Sequence, residues 1–488
     1  MPPLHDQQGE PARTAAAPDV ALHLPPRPAR TARVAWTQGL CIAAIPVLTV
    51  ADVLLRQRAS VALLAGVCLL FLLMQQRHAA TGVRRTCVVL VAATALLLPT
   101  IKAPVQALES GVRIGALIAA ILISVGLLSR ASLRVPRMRN LVRHLFELPR
   151  AKRPLALAVA AQFFGGFLGL AGLTMMMDMA SQRSGITPAE QVADFTAISR
   201  GYAAISLWSP MYSNMGIVLA LYGGILWTDV LPYALAIAAL FIGLGALLEK
   251  LQRLGDAPAQ QQGGSIAPLL QEGLPMVAVM LCFVVLMVLT SSHLHVPISA
   301  LIIFGAPVVE WLLNAAYPAD CGQRWRSSRL QLGQDLIGQA TMSGEVMLFL
   351  ASGCAGTVMA QAIPIAWSAG IAQMTGGSPY LGCLLVMAAI VVLSGTSIHP
   401  MLSALLVGSS LSPVLLGLPA LVHMCAVLIG WGLAIIVTPF SVISLMAARF
   451  SGAHILVVSL RANLVYVFVS MGSAALVLGW TASLLQKI

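Results

Sequence analysis

The sequence predicts an all-α polytopic membrane protein built from an inverted repeat, and three observations lead there. The 488 residues are 58% hydrophobic and only 9% charged, with a mean hydropathy of +0.88, far above that of soluble proteins. The stretch SLWSPMYSN (206–214) sets a proline among serines, a tyrosine and an asparagine inside an apolar run. In the other half, WGLAIIVTPFSVISLMAARF (431–450) again places a hydroxyl-proline step, Thr438-Pro439, in an apolar setting. Proline removes one backbone donor and clashes with the preceding turn, so the carbonyls it frees need partners inside the protein or in a water-filled cavity. Two interrupted helices in corresponding halves mark a secondary transporter made of inverted repeats, with its solute or ion site at the breaks.

The net charge of +12 does not point to nucleic acid, because the basic residues sit in short loops between apolar runs and act there as topology signals. The eight cysteines are scattered, without a CxxC pair or histidines at metal spacing, so they read as packing residues. Neither a disulfide framework nor a cofactor or metal is expected.

In chain order, residues 1–35 are rich in Pro, Ala and Arg and lack the apolar core of a signal peptide, which reads as a disordered cytoplasmic tail. The first transmembrane half, 36–248, opens with spans near 36–55, 60–75, 86–101 and 114–129. The loop with Arg77, Arg84 and Arg85 is basic, and residues 130–153 carry eight Arg and Lys. The positive-inside rule puts both, and the amino terminus, on the cytoplasmic side. RVPRMRNLVRHLFEL (134–148) spaces its apolar residues as an interfacial amphipathic helix does. LALAVAAQFFGGFLGLAGLTMMMDMA (155–180) reads either as one span or as a re-entrant hairpin with a small-residue centre. Only the hairpin keeps the basic loop at 321–329 cytoplasmic, so the charge pattern favours it. A polar link, 181–200, leads to the first broken helix, 195–222, and a return span to about 248.

A cytoplasmic linker, 249–272, contains QQQGG (260–264) and joins the halves. The second half, 273–488, has spans near 274–292, 296–316 and 343–363, a hairpin at 381–412 centred on LSGTSIHPM (393–401), a broken helix at 420–447 and a long last span. The carboxyl terminus is then periplasmic. Matching Gly172 to Gly395 and Pro210 to Pro439 gives offsets of 223 and 229 residues, close enough to suggest a duplication.

Four stretches, in this order, resemble the ion transporter superfamily and within it the divalent anion:sodium symporter family of dicarboxylate and citrate carriers. AKRPLALAVAAQFFGGFLGLAGLTMMMDMA (151–180) is similar to that family's first hairpin and GYAAISLWSPMYSN (201–214) to its first unwound segment. VVLSGTSIHPMLSALLVG (391–408) is similar to its second hairpin, with Ser394, Gly395 and Thr396 where the family has Ser-Asn-Thr; AIIVTPFSVISLMAARFSG (434–452) is similar to its second unwound segment. The sequence departs from the family at both tips, with Leu170, Ala171 and Gly172 near the first and Gly395 in place of asparagine at the second. The resemblance implies about eleven transmembrane helices, two re-entrant hairpins, a homodimer in a bacterial inner membrane, and elevator-type movement of the hairpins and broken helices. It covers roughly residue 130 to the carboxyl end.

Helix ends that meet inside a membrane offer free backbone donors to an anion and freed carbonyls to a cation. The side chains best placed to add contacts are Ser209, Ser213 and Asn214 beside Pro210, and Ser394, Thr396, Ser397 and Thr438 with Gly395 and Pro439 in the second half. For each hydroxyl the bland alternative is a bond back to its own helix. Ionisable groups within spans are costly and therefore candidates for ion coupling. His399 beside the second tip is preferred because imidazole changes charge near neutral pH; Asp178, with Thr174 and Gly172 near the first tip, is the second choice. Glu345, at the start of a span, is expected near the membrane interface. The function expected is a secondary carrier of a small organic anion, di- or tricarboxylate-like, coupled to sodium or protons. A cation/proton antiporter or a metalloid-anion exporter is the near alternative. A membrane-embedded enzyme is disfavoured because the sequence has no HExxH, paired intramembrane aspartates or GxSxG, and no Walker motif suggests ATP-driven transport.

Overall fold

In lipid every backbone N–H and C=O must be satisfied within the chain, so apolar segments of this length fold as helices. The computed structural model describes residues 32–183, 185–252, 265–317, 324–396 and 398–486, and among them there are only helices and their connections. Residues 1–31 and 253–264, most of the expected tail and linker, lie outside the described residues, as do Cys321 and Ser397. Eleven of the described helices are long and apolar enough to cross a membrane.

The first four helices are α1 (Ala32–Leu55), α2 (Arg58–Gln75), α3 (Thr81–Leu97) and α4 (Pro104–Leu133). They extend beyond the apolar windows of the sequence. Arg84 and Arg85 lie in α3, exposed, and Arg113 lies in α4, where its Nε is 2.9 Å from Oδ2 of the buried Asp52. Amphipathic α5 (Pro136–Glu147) buries Met138, Leu141, Val142 and Leu145 and turns its arginines outward.

The next helix, α6 (Arg153–Ser181), doubles back on itself at Gly169, whose φ of +53° and ψ of −137° interrupt the helix. Positive φ is open to glycine because it has no Cβ. A straight helix of 29 residues would be about 43 Å long, yet both ends of α6 reach one carboxylate. Arg153 Nε donates to Asp194 Oδ1 at 3.0 Å and Arg183 Nη1 to Asp194 Oδ2 at 2.5 Å. Gly172, expected at the tip, instead belongs to the returning arm. A Cβ there would lie 2.6 Å from the Phe164 carbonyl oxygen, so its small size lets the two arms close.

The expected polar link is also largely helical. Thr187 and Glu190 form a reciprocal capping box, Glu190 N donating to Thr187 Oγ1 at 3.2 Å and Thr187 N to Glu190 Oε2 at 3.1 Å. That starts α7 (Pro188–Ala203), which continues as α8 (Ile205–Trp208), breaks, and resumes as α9 (Ser213–Leu221) before the return helix α10 (Trp227–Gln252). The second half contains α11 (Ala267–Leu294), α12 (Ile298–Ala316), α13 (Arg324–Gly338), α14 (Ser343–Ala362) and α15 (Ile365–Gln373). After these come α16 (Pro379–Gly395), α17 (Pro400–Ser410), α18 (Pro413–Leu416), α19 (Ala420–Val437), α20 (Val442–Ser451) and α21 (Ala462–Leu485). Helices α16 and α17 form the second hairpin: Gly382, near its start, faces Leu418, just past its end, at 3.4 Å from an added Cβ. No residue of α11 is fully buried although its middle is strongly apolar, the pattern of a helix at the edge of the bundle with much of its surface towards lipid, tied to α5 by the pair of Glu272 with Arg137 at 3.6 Å.

Equivalent contacts recur at a nearly constant offset, which establishes the repeat. Helices α4 and α14 end at Leu133 and Ala362, and α5 and α15 begin at Pro136 and Ile365, each pair 229 residues apart. Gly201 of α7 packs on Ala158 of the first hairpin, and Gly430 of α19 on Met387 of the second, again 229 apart. Ser209 Oγ donates to the Gly166 carbonyl at 2.7 Å, and Thr438 Oγ1 to the Ser394 carbonyl at 2.9 Å, at offsets of 229 and 228. Gly395 therefore corresponds to Phe167, not to Gly172. The halves are inverted: α4 and α14 pack antiparallel, with Thr357 Oγ1 bonded to the Ala107 carbonyl at 3.0 Å at one end and Gly126 opposite Gln339 at the other.

Two hydrophobic cores result. One joins the hairpins, the broken helices, α10 and α21; the other joins α1 to α4 with α12 and α14. Phe167, Met211, Leu402 and Leu406 project from the hairpins and the first break into the second core, so the boundary between the two bodies is largely apolar.

Asp194→Asn leaves two arginines, Arg153 only 6% exposed, without their counter-ion. It is expected to cost about 3–5 kcal/mol, read as a fall in Tm of the purified protein. Gly201→Val places a side chain within 2.7 Å of the Ala158 backbone and is expected to cost on the order of 1–3 kcal/mol. An unchanged Tm in either variant would refute the corresponding packing.

Candidate transport site

The first break occupies 209–212, where Pro210 ends α8 and Tyr212 precedes α9. Ser209 does not bond back to its own helix; its hydroxyl crosses to Gly166 and ties the break to the first hairpin. Trp208 reinforces the tie, its Nε1 donating to Gln162 Oε1 at 2.9 Å, while its own carbonyl accepts from Trp227 Nε1 at 2.8 Å. Gly166 must stay small, because a Cβ would meet the Trp208 ring at 3.1 Å.

The amino end of α9 is open. Tyr212 offers no side-chain cap, and among the described residues the N–H groups of Ser213 and Asn214 have no acceptor. Asn214 is 3% exposed and its Nδ2 has no partner. Free N–H groups, the positive end of a helix and an unpaired amide donor converge there, an arrangement that favours an anion. At the second break the corresponding helix α20 is closed by its own residue, Ser441 Oγ accepting from Ser444 N at 3.0 Å. The two breaks therefore share a framework but differ in what they offer.

The second tip spans the connection from α16 to α17. Gly395 and Thr396 are exposed, and a Cβ on Gly395 would meet nothing within 4 Å. Ser394 and Thr396 hydroxyls bond back to Ile390 and Leu393 of their own helix, at 2.7 Å each, so the bland alternative holds for both. Thr438 follows the other pattern and braces the hairpin, with Pro439 ending the helix behind it. His399 serves as the N-cap of α17, its Nδ1 accepting from Met401 N at 3.3 Å, with its ring edge-on to Phe349 at 5.8 Å.

The ion-coupling candidates of the first hairpin are dispersed. Gly172 packs between the arms, Thr174 Oγ1 bonds to the Leu170 carbonyl at 2.8 Å, and Asp178 accepts from Gln182 Nε2 at 2.9 Å towards the end of the returning arm. Glu345 is not at the edge of the helical body. The first tip is level with Gln339 of the scaffold, since Ser129 Oγ donates to the Leu168 carbonyl at 2.6 Å and Gly126 of the same helix faces Gln339. The second tip is level with Phe349. Glu345 lies between those levels, next to Val346 and Met347, which share an apolar core with Met211 of the first break. Sequence reasoning missed Ser129, one hydroxyl in a long apolar helix with no local signal. It also missed Asp194, for which the arginines bracketing the hairpin were the available hint.

No family model matches the sequence, and no curated protein matches it. Among solved structures, the fold is similar to that of the Alcanivorax borkumensis YdaH transporter, with a TM-score of 0.54 at 16% sequence identity. The match covers 81% of this chain and 96% of that one. At that identity the likeness concerns the fold alone.

Proposed function

We propose that this protein is a secondary carrier for a small organic anion of di- or tricarboxylate type, coupled to sodium or protons and working by an elevator movement. The observation that carries this reading is the open amino end of α9, where two free N–H groups and the buried, unpartnered Asn214 amide converge beside Pro210. It needs no arginine to hold a carboxylate. The separate cores support the movement: the body with hairpins and breaks slides against α4 and α14 across a largely apolar boundary, where the bond from Ser129 Oγ to the Leu168 carbonyl is a polar tie that has to be released. The family that the sequence resembles adds the dicarboxylate class, the homodimer and the bacterial inner membrane to the proposal.

Charge supports an orientation. The repeat makes α5 and α15 equivalents on opposite faces; α5 bears Arg137, Arg139 and Arg143, whereas α15 bears no charged residue. By the positive-inside rule α5 is cytoplasmic and α15 periplasmic.

Succinate, citrate and related anions, each tested with sodium, with potassium and at two pH values, are expected to raise the Tm of the purified protein, since a ligand bound only to the native state must stabilise it. Asn214→Ala is expected to weaken the bound anion by about 1.5–3 kcal/mol, roughly tenfold to a hundredfold in Kd. Stabilisation by none of these anions would abandon the organic-anion reading for an ion antiporter or a metalloid-anion exporter.

A further inference from the structure

A carboxyl group held between two hairpin tips needs a reason to be there. Glu345, in the first turn of α14, is partly buried and makes no hydrogen bond or ion pair among the described residues. Its helix belongs to the scaffold core, but the group lies one turn from Phe349, which meets His399 of the second tip, and the neighbouring Val346 and Met347 share an apolar core with Met211 of the first break. Tyr212 immediately precedes the open amino end of α9. Glu345 thus stands where the scaffold, the second hairpin and the first break come together.

The groups facing it are few. From the first break comes the apolar Met211, in one core with Val346 and Met347, and from the second tip His399, whose ring meets Phe349. On the side of α3, Val83 packs beside Gly344, with Arg84 and Arg85 exposed beyond it. Helix α4 has no charged residue between Arg113 and Arg130. No cation is paired with the carboxylate, and no three His, Cys, Asp or Glu side chains cluster as metal ligands among the described residues. A hard metal ion seeks several oxygen ligands, whereas a proton needs one.

We infer that Glu345 is the proton-binding group of the carrier, and that its protonation and anion binding at the amino end of α9 require each other. This rests on the organic-anion reading for the second half only. The logic is electrostatic. A negative Glu345 repels an anion arriving beside Tyr212, through a medium less polar than water, and a protonated one does not. By linkage the anion must then raise the affinity of Glu345 for a proton to the same degree. Carboxylate and proton load together, and the body that carries the anion then faces a scaffold wall whose negative charge the proton has removed.

Two measurements test the halves separately. Infrared difference spectra between acid and mildly alkaline buffer, without any added anion, are expected to show the carbonyl band of a protonated carboxyl group. That band is lost in Glu345→Gln, shifted in Glu345→Asp and retained in Glu310→Gln, the control for another buried acid. Its persistence in Glu345→Gln, or its displacement by added sodium at constant pH, overturns the inference. In the second measurement, binding of succinate and of citrate is followed by thermal shift, with proton uptake read by an indicator dye in weak buffer. The Kd is expected to rise about tenfold for each unit of pH in the titrating range, with one proton taken up per anion. In Glu345→Gln both effects vanish beyond the titration of the probe itself. A Glu345 band without stabilisation by either anion keeps the proton site and overturns the organic-anion reading, while anion binding with no Glu345-dependent proton uptake overturns the coupling and leaves that reading standing.

Discussion

The structure depends on how two prolines are tolerated in a membrane. Each takes a donor out of an apolar helix and frees carbonyls that lipid cannot satisfy. Side chains from elsewhere reach carbonyls at the breaks, Trp227 Nε1 that of Trp208 and Asn463 Nδ2 that of Ile436, and in each half a hydroxyl immediately before the proline donates across to a hairpin carbonyl, Ser209 to Gly166 and Thr438 to Ser394. Break and hairpin are thereby joined in each half, and the two unwound segments become fixed points in a single core. Asp194 completes the arrangement in the first half by drawing both ends of the hairpin to one carboxylate.

Much of this was legible in the sequence, and for physical reasons. Proline inside an apolar run leaves few choices, so Pro210 and Pro439 located both breaks. The positive-inside rule, applied to one basic loop, argued that the stretch around Gly169 folds back instead of crossing. Other features were hidden because they depend on distant partners. Four glycines crowd the first hairpin, and composition cannot say which one takes positive φ; Gly169 does, and Gly172 serves close packing. The polar stretch before the first break looked like a connector because its acids and arginines were counted as surface groups. In the folded chain Asp194 and Arg200 are buried, Asp194 on its two arginines and Arg200 on Asn463 and the Ala462 carbonyl. The depth of Glu345 was invisible too, since it follows from the antiparallel register of α4 and α14.

That register is set by small residues. Gly111 and Gly115 on α4 face Gly353, Cys354 and Leu350 on α14 so closely that a Cβ on Gly111 would lie 2.6 Å from the Cys354 backbone. Small residues drive helix association in membranes, where there is no hydrophobic force between helices. The pair forms a stiff wall, against which the body with the breaks presents Phe167, Met211, Leu402 and Leu406. The two halves have nonetheless diverged in chemistry. Ser441 caps one helix end at the second break, while the end at the first remains open with Asn214 beneath it.

One contact has an implication for how this chain can change over generations. Ala203 and Gly432 stand 229 residues apart, which is the repeat offset, and a Cβ on Gly432 would lie 2.6 Å from the Ala203 carbonyl oxygen. Each touches its own counterpart, as only residues on the axis relating the halves can. When both halves were copies of one ancestral segment, a single substitution there would have added its bulk twice to the same narrow gap. Gene fusion relieves that constraint, because one half can then hold the alanine and the other the glycine. A side chain at position 432 would now run into the Ala203 carbonyl and the Ser206 hydroxyl, so the glycine of one half leaves room for the backbone of the other.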